Sequence, residues 1–354
     1  MLLASCTERS GPENTVVINQ PTQSYYGVQK LDSIINICCQ NGEFNGTILV
    51  SRNKKVVYRK ALGYANLETK EKLIPESAFY LASVSKQFTA MAIMILSERK
   101  KLTYDDKLSK YVPEFPPYAN DITIIHLLTH TSGIPDHFGL NSYKPDLTNQ
   151  DVLDILIKEK FLDYKPGDRF EYSNSGYILL AMITEKVSGM PFHEFMKTNV
   201  FDLLGMTNTL VYDESKPLIY NRAIGYNGDG TLNDYNILTT GAGGMFSTVD
   251  DLYLWDQALY TGTLVSWGTI YEAFTPFKLN DGAISNYGFG WFISEDGKRK
   301  TVSHSGSFSG FRNYICRDIV NKNAYMLLTN NGDALDMNKV VNAIRDFLDL
   351  QISK

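Results

Sequence analysis

The hydrophobic positions along this 354-residue chain fall into a helical texture and a strand texture. Leu31, Ile34, Ile35 and Cys38 follow the i, i+3, i+4, i+7 pattern of one helix face, and Gly42 is a natural stop, so a helix is predicted over 31–40. Thr47 to Arg52 and Val56 to Ala61 are β-rich runs joined by the polar turn Asn53-Lys54-Lys55, which predicts a hairpin. Phe88 to Leu96 is apolar except for Thr89 and predicts a buried helix. From about residue 100 to 285 the texture is mainly helix and loop. Helices are expected over 121–128, 149–159, 175–187 and 250–259, with a small hairpin around Asn227-Gly228-Asp229-Gly230. Short strands return at 290–294, 301–304, 312–317 and 324–330, and a helix with Val340, Val341, Ile344, Phe347 and Leu348 on one face closes the chain.

This order predicts an α+β fold. Both chain ends, about 28–100 and 286–354, build one antiparallel sheet of the five-stranded type flanked by helices. A mostly helical subdomain spans about 101–285. Ligand sites commonly lie at such a junction.

Composition narrows the function. The chain is 44% hydrophobic with net charge −5 and no dense basic cluster, so nucleic acid is not an expected partner. No apolar run approaches the ~20 residues of a membrane span. The four cysteines, Cys6, Cys38, Cys39 and Cys316, match no zinc spacing, and Cys38 and Cys316 read as small buried hydrophobes. His126 and His130 are four apart, but no third ligand is evident. Neither a metal nor a cofactor is expected.

Cys6 reads differently. Leu3-Ala4-Ser5-Cys6 resembles the lipobox of bacterial lipoproteins, whose cysteine is lipidated. Only five residues precede it and none is basic, so the signal is shorter than the usual pattern. Residues 1–27 are therefore expected to be a signal remnant and flexible tether, and the protein an extracytoplasmic, periplasmic or outer-membrane-anchored lipoprotein that meets membrane only through that anchor.

The candidate chemistry starts at Ser83-Val84-Ser85-Lys86, at the head of the Phe88 run. Residues three apart share a helix face, so a hydroxyl and an amine would stand side by side at a helix N-terminus. That is the arrangement of a serine activated by lysine. Ser-x-x-Lys also occurs at Ser51 and Ser97, but only the Ser83 copy has an apolar run behind it to desolvate the amine. The same residues also fit an N-cap serine with a lysine reaching for solvent.

Two further segments complete a site. Tyr172-Ser173-Asn174 follows Pro166-Gly167 on a loop. A tyrosine near a cationic lysine is expected to release its proton more easily than its free pKa of about 10 implies. Asn174 offers an amide to a substrate carbonyl. His304-Ser305-Gly306-Ser307 ends a short strand, where a glycine lets substrate backbone lie close. The backbone N–H groups of Ser307 and Ser83 are the candidate oxyanion hole. Tyr-x-Asn recurs at Tyr64 and Tyr118, and His-x-Gly at His137.

The ordered set Ser83-x-x-Lys86, Tyr172-x-Asn174, His304-x-Gly306 resembles the serine β-lactamase and penicillin-binding protein superfamily. It most resembles the class C β-lactamase branch with its D-aminopeptidases, D,D-carboxypeptidases and esterases. The flanks Leu127-Leu128-Thr129-His130-Thr131-Ser132-Gly133-Ile134-Pro135 and Gly243-Gly244-Met245-Phe246-Ser247-Thr248 carry the likeness too, which runs from about 30 to about 340. It implies that Ser83 is the acylated nucleophile, Lys86 its base and Tyr172 a proton shuttle. It also implies substrate binding by Asn174, His304, Gly306 and Ser307, with a small molecule or peptide as substrate.

One departure bears on that substrate. Lactamases usually carry lysine where His304 stands, and a mostly neutral histidine holds an antibiotic's carboxylate less well. The expected substrate is a D-amino-acid peptide or small ester rather than an efficiently hydrolysed β-lactam; Arg312, six residues after Gly306, reads as an exposed strand-end arginine ahead of a substitute positive charge. A Ser-His-Asp hydrolase is disfavoured, since no serine has glycine two residues before and two after it. A penicillin-binding or sensor relative that acylates without efficient turnover is one alternative, and a genuine class C-like β-lactamase is the other.

Overall fold

A computed structural model describes residues 22–297 and 299–349. Cys6 and the lipobox lie outside the described residues. The central sheet has six antiparallel strands in the order Phe292–Glu295, Lys300–Phe308, Phe311–Asp318, Asn323–Thr329, Gly46–Arg52, Lys55–Leu62. The sequence expectation of both chain ends in one sheet holds, with one strand more than the five expected. The seam between the ends is the pairing of Gly46–Arg52 with Asn323–Thr329, in register from Gly46↔Thr329 to Ser51↔Ala324.

These two strands are buried on both faces, and successive side chains serve different cores. Leu49, Met326 and Leu328 face the large core, which includes the Lys86–Glu98 helix and the Asn174–Ser188 helix. Ile48, Val50, Tyr325 and Leu327 face a smaller core with the terminal helices Thr22–Gln40 and Met337–Asp349. Burial on both sides is why these strands read as continuous apolar runs.

Three differences from the sequence reading have simple causes. The first helix starts at Thr22, inside the stretch expected to be a tether. Val28, Leu31, Ile35 and Cys38 pack on one side into the smaller core. A helical stretch from Phe192 to Leu204, through a π-helical turn at Lys197–Phe201, and the Trp267–Ala273 helix went unread. A small sheet also joins Phe79–Tyr80, Met245–Ser247 and Leu210–Val211, strands too short to leave a pattern.

Candidate active site

The small sheet sets the position of Ser83. Tyr80 pairs with Phe246, and Leu81 N–H donates to Met245 O at 2.8 Å. Ala82 then takes a left-handed conformation, φ 50°, which an alanine rarely adopts. The chain turns through a 3-10 segment, Ala82–Ser85, directly into the Lys86–Glu98 helix. The strand carrying Gly306 supports this turn from the other side. A methyl group on Gly306 would sit 2.1 Å from Leu81 O. Sequence reasoning gave that space to substrate backbone; the structure gives it to the turn that holds Ser83. Asn313, opposite Gly306 in register, ties the turn further by donating from Nδ2 to Tyr80 O at 2.8 Å.

Lys86 is wholly buried, with Nζ 3.2 Å from Ser83 Oγ, 2.8 Å from Asn174 Oδ1 and 2.9 Å from Ala242 O. Burial pushes its pKa down to about 7, opposed by the Asp136 carboxylate. A neutral amine has two protons and one lone pair. Asn174 Oδ1 and Ala242 O accept the two protons, which leaves the lone pair for the Ser83 hydroxyl. With a pKa of about 7 the amine is neutral in a large share of molecules at pH 7, and in that form the arrangement presents a base to the serine. A lysine reaching for solvent is excluded by its burial.

Tyr172 lies against this pair, its ring 4.8 Å from Lys86 Nζ. Its hydroxyl is buried without a hydrogen-bond partner. Burial raises its pKa above the free value, and the nearby Ser83 hydroxyl offsets this only in part. The expectation of an easily lost phenol proton is therefore corrected: desolvation of the buried hydroxyl dominates. Tyr172 is held by rings, with His130 at 4.3 Å, His304 at 6.0 Å and Phe292 stacked at 6.3 Å between centroids. His130 accepts from Ser173 N–H through Nδ1 at 3.2 Å, which fixes the Tyr172 loop. His126 Nδ1 accepts from Thr123 N–H at 3.2 Å and caps the Ile124–Leu128 helix.

Sequence reasoning missed Asp136. Its Oδ2 accepts from Asn174 N at 2.6 Å and from Asn174 Nδ2 at 2.9 Å. This orients the Asn174 amide so that its oxygen faces Lys86. The signal was thin: an Asp after Gly133-Ile134-Pro135 reads as a cap, and it does cap Phe138 N–H at 2.9 Å.

His304 is corrected more sharply. It is 2% exposed, and both ring nitrogens are engaged. Nδ1 donates to Ser305 O at 2.6 Å, and Nε2 accepts from the Tyr287 hydroxyl at 3.0 Å. Burial pushes its pKa down to about 3. It supports Tyr172 from behind and carries no charge for a substrate. Arg312 is no substitute, because its guanidinium pairs with Asp333 at 2.6 Å.

Ser307 fits an open edge. Phe308↔Phe311 closes the two-residue turn Ser309-Gly310, so the alternation of antiparallel pairs turns the Ser307 N–H outward. The outer neighbour, Phe292–Glu295, covers only Lys300–Ser303, which leaves that edge unpaired. Ser83, Asn174 and Ser307 all line one cleft of about 390 Å³, with Tyr80, His137, Phe138, Ile178, Ile237 and Phe308 among its walls. Among the described residues, no Lys, Arg, Asp or Glu lines it.

Known proteins share this arrangement of chain. Penicillin-binding protein 4* of Bacillus subtilis (strain 168) is 35% identical over 334 residues, 88% of this chain and 73% of that protein. The structure of an octameric penicillin-binding protein homologue from Pyrococcus abyssi superposes with a TM-score of 0.81 at 30% identity, covering 91% of this chain and 77% of the other. The D-amino acid amidase of Ochrobactrum anthropi SV3 shares the fold at 23% identity, with a TM-score of 0.79 over 94% of this chain and 100% of the other. The Beta-lactamase family description matches residues 37–347, a span that runs from the first helix to the last and contains the whole Ser83 cleft. The chain therefore belongs to the β-lactamase family of serine hydrolases and penicillin-binding proteins.

Proposed function

We propose that the protein is a serine hydrolase that cleaves amides or esters through an acyl-enzyme on Ser83. The observation that carries this is the buried Lys86 amine, its pKa lowered to about 7 and its Nζ 3.2 Å from Ser83 Oγ. Lys86 takes the Ser83 proton as Oγ attacks the substrate carbonyl carbon. The oxyanion that forms accepts from the N–H groups of Ser83 and Ser307. Tyr172, protonated because it is buried, delivers a proton to the leaving group as its bond to the carbonyl carbon breaks. Lys86 returns the proton to Tyr172. Water then adds to the acyl-enzyme by the reverse sequence, and the carboxylic acid departs.

The uncharged cleft favours substrates without a carboxylate at the reacting end. A β-lactam or a D,D-peptide carries one, and neither His304 nor Arg312 is available to pair with it. Small esters and amides of amino acids fit better. We assign the site outside the cytoplasm, on a lipid anchor at Cys6, from the Leu3-Ala4-Ser5-Cys6 pattern. Cys6→Ser is expected to move the protein from the detergent phase to the aqueous phase.

The test of function is a panel of short acyl esters, D-amino-acid amides, D-Ala-D-Ala peptides and a chromogenic cephalosporin, beside Ser83→Ala. Turnover of esters or amides that vanishes in Ser83→Ala is expected. Fast cephalosporin hydrolysis would overturn the argument from charge. Acylation without release would make this a penicillin-binding protein instead. A fluorophosphonate that labels wild type no more than Ser83→Ala would remove the hydrolase.

A further inference from the structure

Three turns of the main sheet share one end of it, the end remote from Ser307. Lys54 N–H donates to Lys322 O at 2.9 Å, and Ile319 N–H donates to Lys300 O at 2.9 Å. These bonds join the turn after Gly46–Arg52, the turn after Phe311–Asp318 and the turn before Lys300–Phe308 into one surface. Lys54, Lys55 and Lys322 are exposed there, and Lys300 is half-buried. Among the described residues none of these four amines pairs with a carboxylate. Of the carboxylates nearby, Asp318 accepts from Asn321 N–H and Nδ2, and Asp349 pairs with Arg299, while Glu295 and Asp296 border the third turn. Apolar groups stand among the amines. Val320, in the second turn, is 60% exposed. Trp267 and Tyr271, four apart and so on one helix face, are 56% and 64% exposed, and Lys300 Nζ lies 5.1 Å from the Tyr271 ring centre.

Unpaired lysines around exposed tryptophan, tyrosine and valine are the chemistry of a membrane interface. The path of the chain agrees. In the helix Thr22–Gln40, Asn36 Oδ1 accepts from Lys60 Nζ at 2.8 Å, and Asp32 Oδ1 accepts from the Tyr58 hydroxyl at 2.9 Å. The helix therefore runs alongside Lys55–Leu62 in the same direction. Ten residues back from Asp32 is about 15 Å of helix, and three back from Tyr58 is about 10 Å of strand, so Thr22 reaches the Lys54–Lys55 end. The chain coming from Cys6 thus joins the domain on the surface that carries the lysines. We propose that this end docks on a bilayer containing anionic phospholipid, with the four lysines on headgroup phosphates and Val320, Trp267 and Tyr271 in the headgroup boundary. The chain as a whole carries −5, so only this end is drawn to such a surface. Ser307 lies seven residues along the strand from Lys300, roughly 20 Å away, so docking holds the Ser83 cleft clear of the lipid.

This contact is independent of the acyl-enzyme reading and adds to the Cys6 anchor, so it is tested on the full chain carrying Cys6→Ser. Sedimentation with phosphatidylcholine vesicles would be compared with sedimentation with an equimolar mixture of phosphatidylcholine and phosphatidylglycerol. Binding to the mixed vesicles alone, at low salt and released by high salt, is expected. Lys54→Glu with Lys322→Glu should weaken it at least about 10-fold. Lys55→Glu with Lys300→Glu is a second pair, and circular dichroism checks that each variant is folded. Trp255 and Trp291 are buried, so brominated phosphatidylglycerol should quench Trp267 fluorescence, and Trp267→Phe should remove that quenching. Equal binding to both kinds of vesicle, charge-reversed variants that bind as tightly as the parent, or no quenching of Trp267 overturns the proposal. Binding of soluble polyphosphate without binding of vesicles overturns the bilayer as the partner.

Discussion

Asp136 grips Asn174 twice, at the backbone N–H (2.6 Å) and at Nδ2 (2.9 Å), and so turns the amide oxygen to Lys86. Asp136 also opposes the fall of the Lys86 pKa. Two effects of Asp136→Asn follow. Losing the orientation should lower kcat/KM by roughly 10- to 100-fold, the scale of a lost charge-assisted hydrogen bond. Losing the charge should move the acid limb of the pH profile, expected at about pH 7 in wild type, to lower pH. A pH–rate profile of both proteins reads the two effects separately. An unmoved limb would leave Asp136 a purely structural residue.

Lys86 and Tyr172 should trade activity against stability. Lys86 is a buried amine that must shed its proton on folding, and Tyr172 buries an unpaired hydroxyl. Tyr172→Phe removes the orphan group, so it should cut kcat by about 100-fold while raising stability by about 1 kcal/mol. Lys86→Met should abolish turnover yet stabilise the fold at pH 7 by about 1–4 kcal/mol. Urea denaturation beside an ester assay measures both. A loss of stability in Tyr172→Phe would mean that its hydroxyl is satisfied after all.

The buried histidines set a limit on acid tolerance. His304 has its folded pKa pushed down to about 3, below the unfolded value of about 6.5. The unfolded state therefore binds more protons between these values, and stability falls as pH falls through that window. At pH 5 His304 alone should cost about 2 kcal/mol, and His130, whose pKa is also held low by burial, should add to it. Denaturation midpoints measured from pH 7.5 to 4.5 should decline with a slope of more than one proton. A flat profile would place these rings in contact with water.

Gly306→Ala should damage the site more than the sheet. The new methyl would meet Leu81 O at 2.1 Å, so either the strand or the Ser83 turn must move. Loss of at least about 100-fold in kcat/KM is expected, with roughly 2 kcal/mol of destabilisation. Fluorophosphonate labelling rate reports the displacement of Ser83 directly. Near-normal labelling would show that the turn is free to shift without harm.

Much of this was legible from residue patterns, for identifiable reasons. The Ser83–Lys86 pair was readable because three-residue spacing and a following apolar run together determine adjacency and burial. The sheet was readable because its strands are long β-rich runs at the chain ends. His304 was misread although a signal existed: Val302, His304 and Gly306 alternate onto one strand face, and Val302 marks that face as inward. Asp136 and His137 were not readable, because a loop's side-chain directions depend on contacts with the distant Asn174–Ser188 helix. The raised pKa of Tyr172 could not be deduced either, since desolvation is a property of the assembled rings around it.

The pairing of Gly46–Arg52 with Asn323–Thr329 has a consequence for how the protein comes into being. Such distant partners make folding wait on a large loop closure. During synthesis Ser83 leaves the ribosome long before the strand that braces it, so the nascent chain carries a reactive residue with no reactive site. Catalytic competence arrives late and all at once, and a chain cut short before its last strand would be inert rather than partly active.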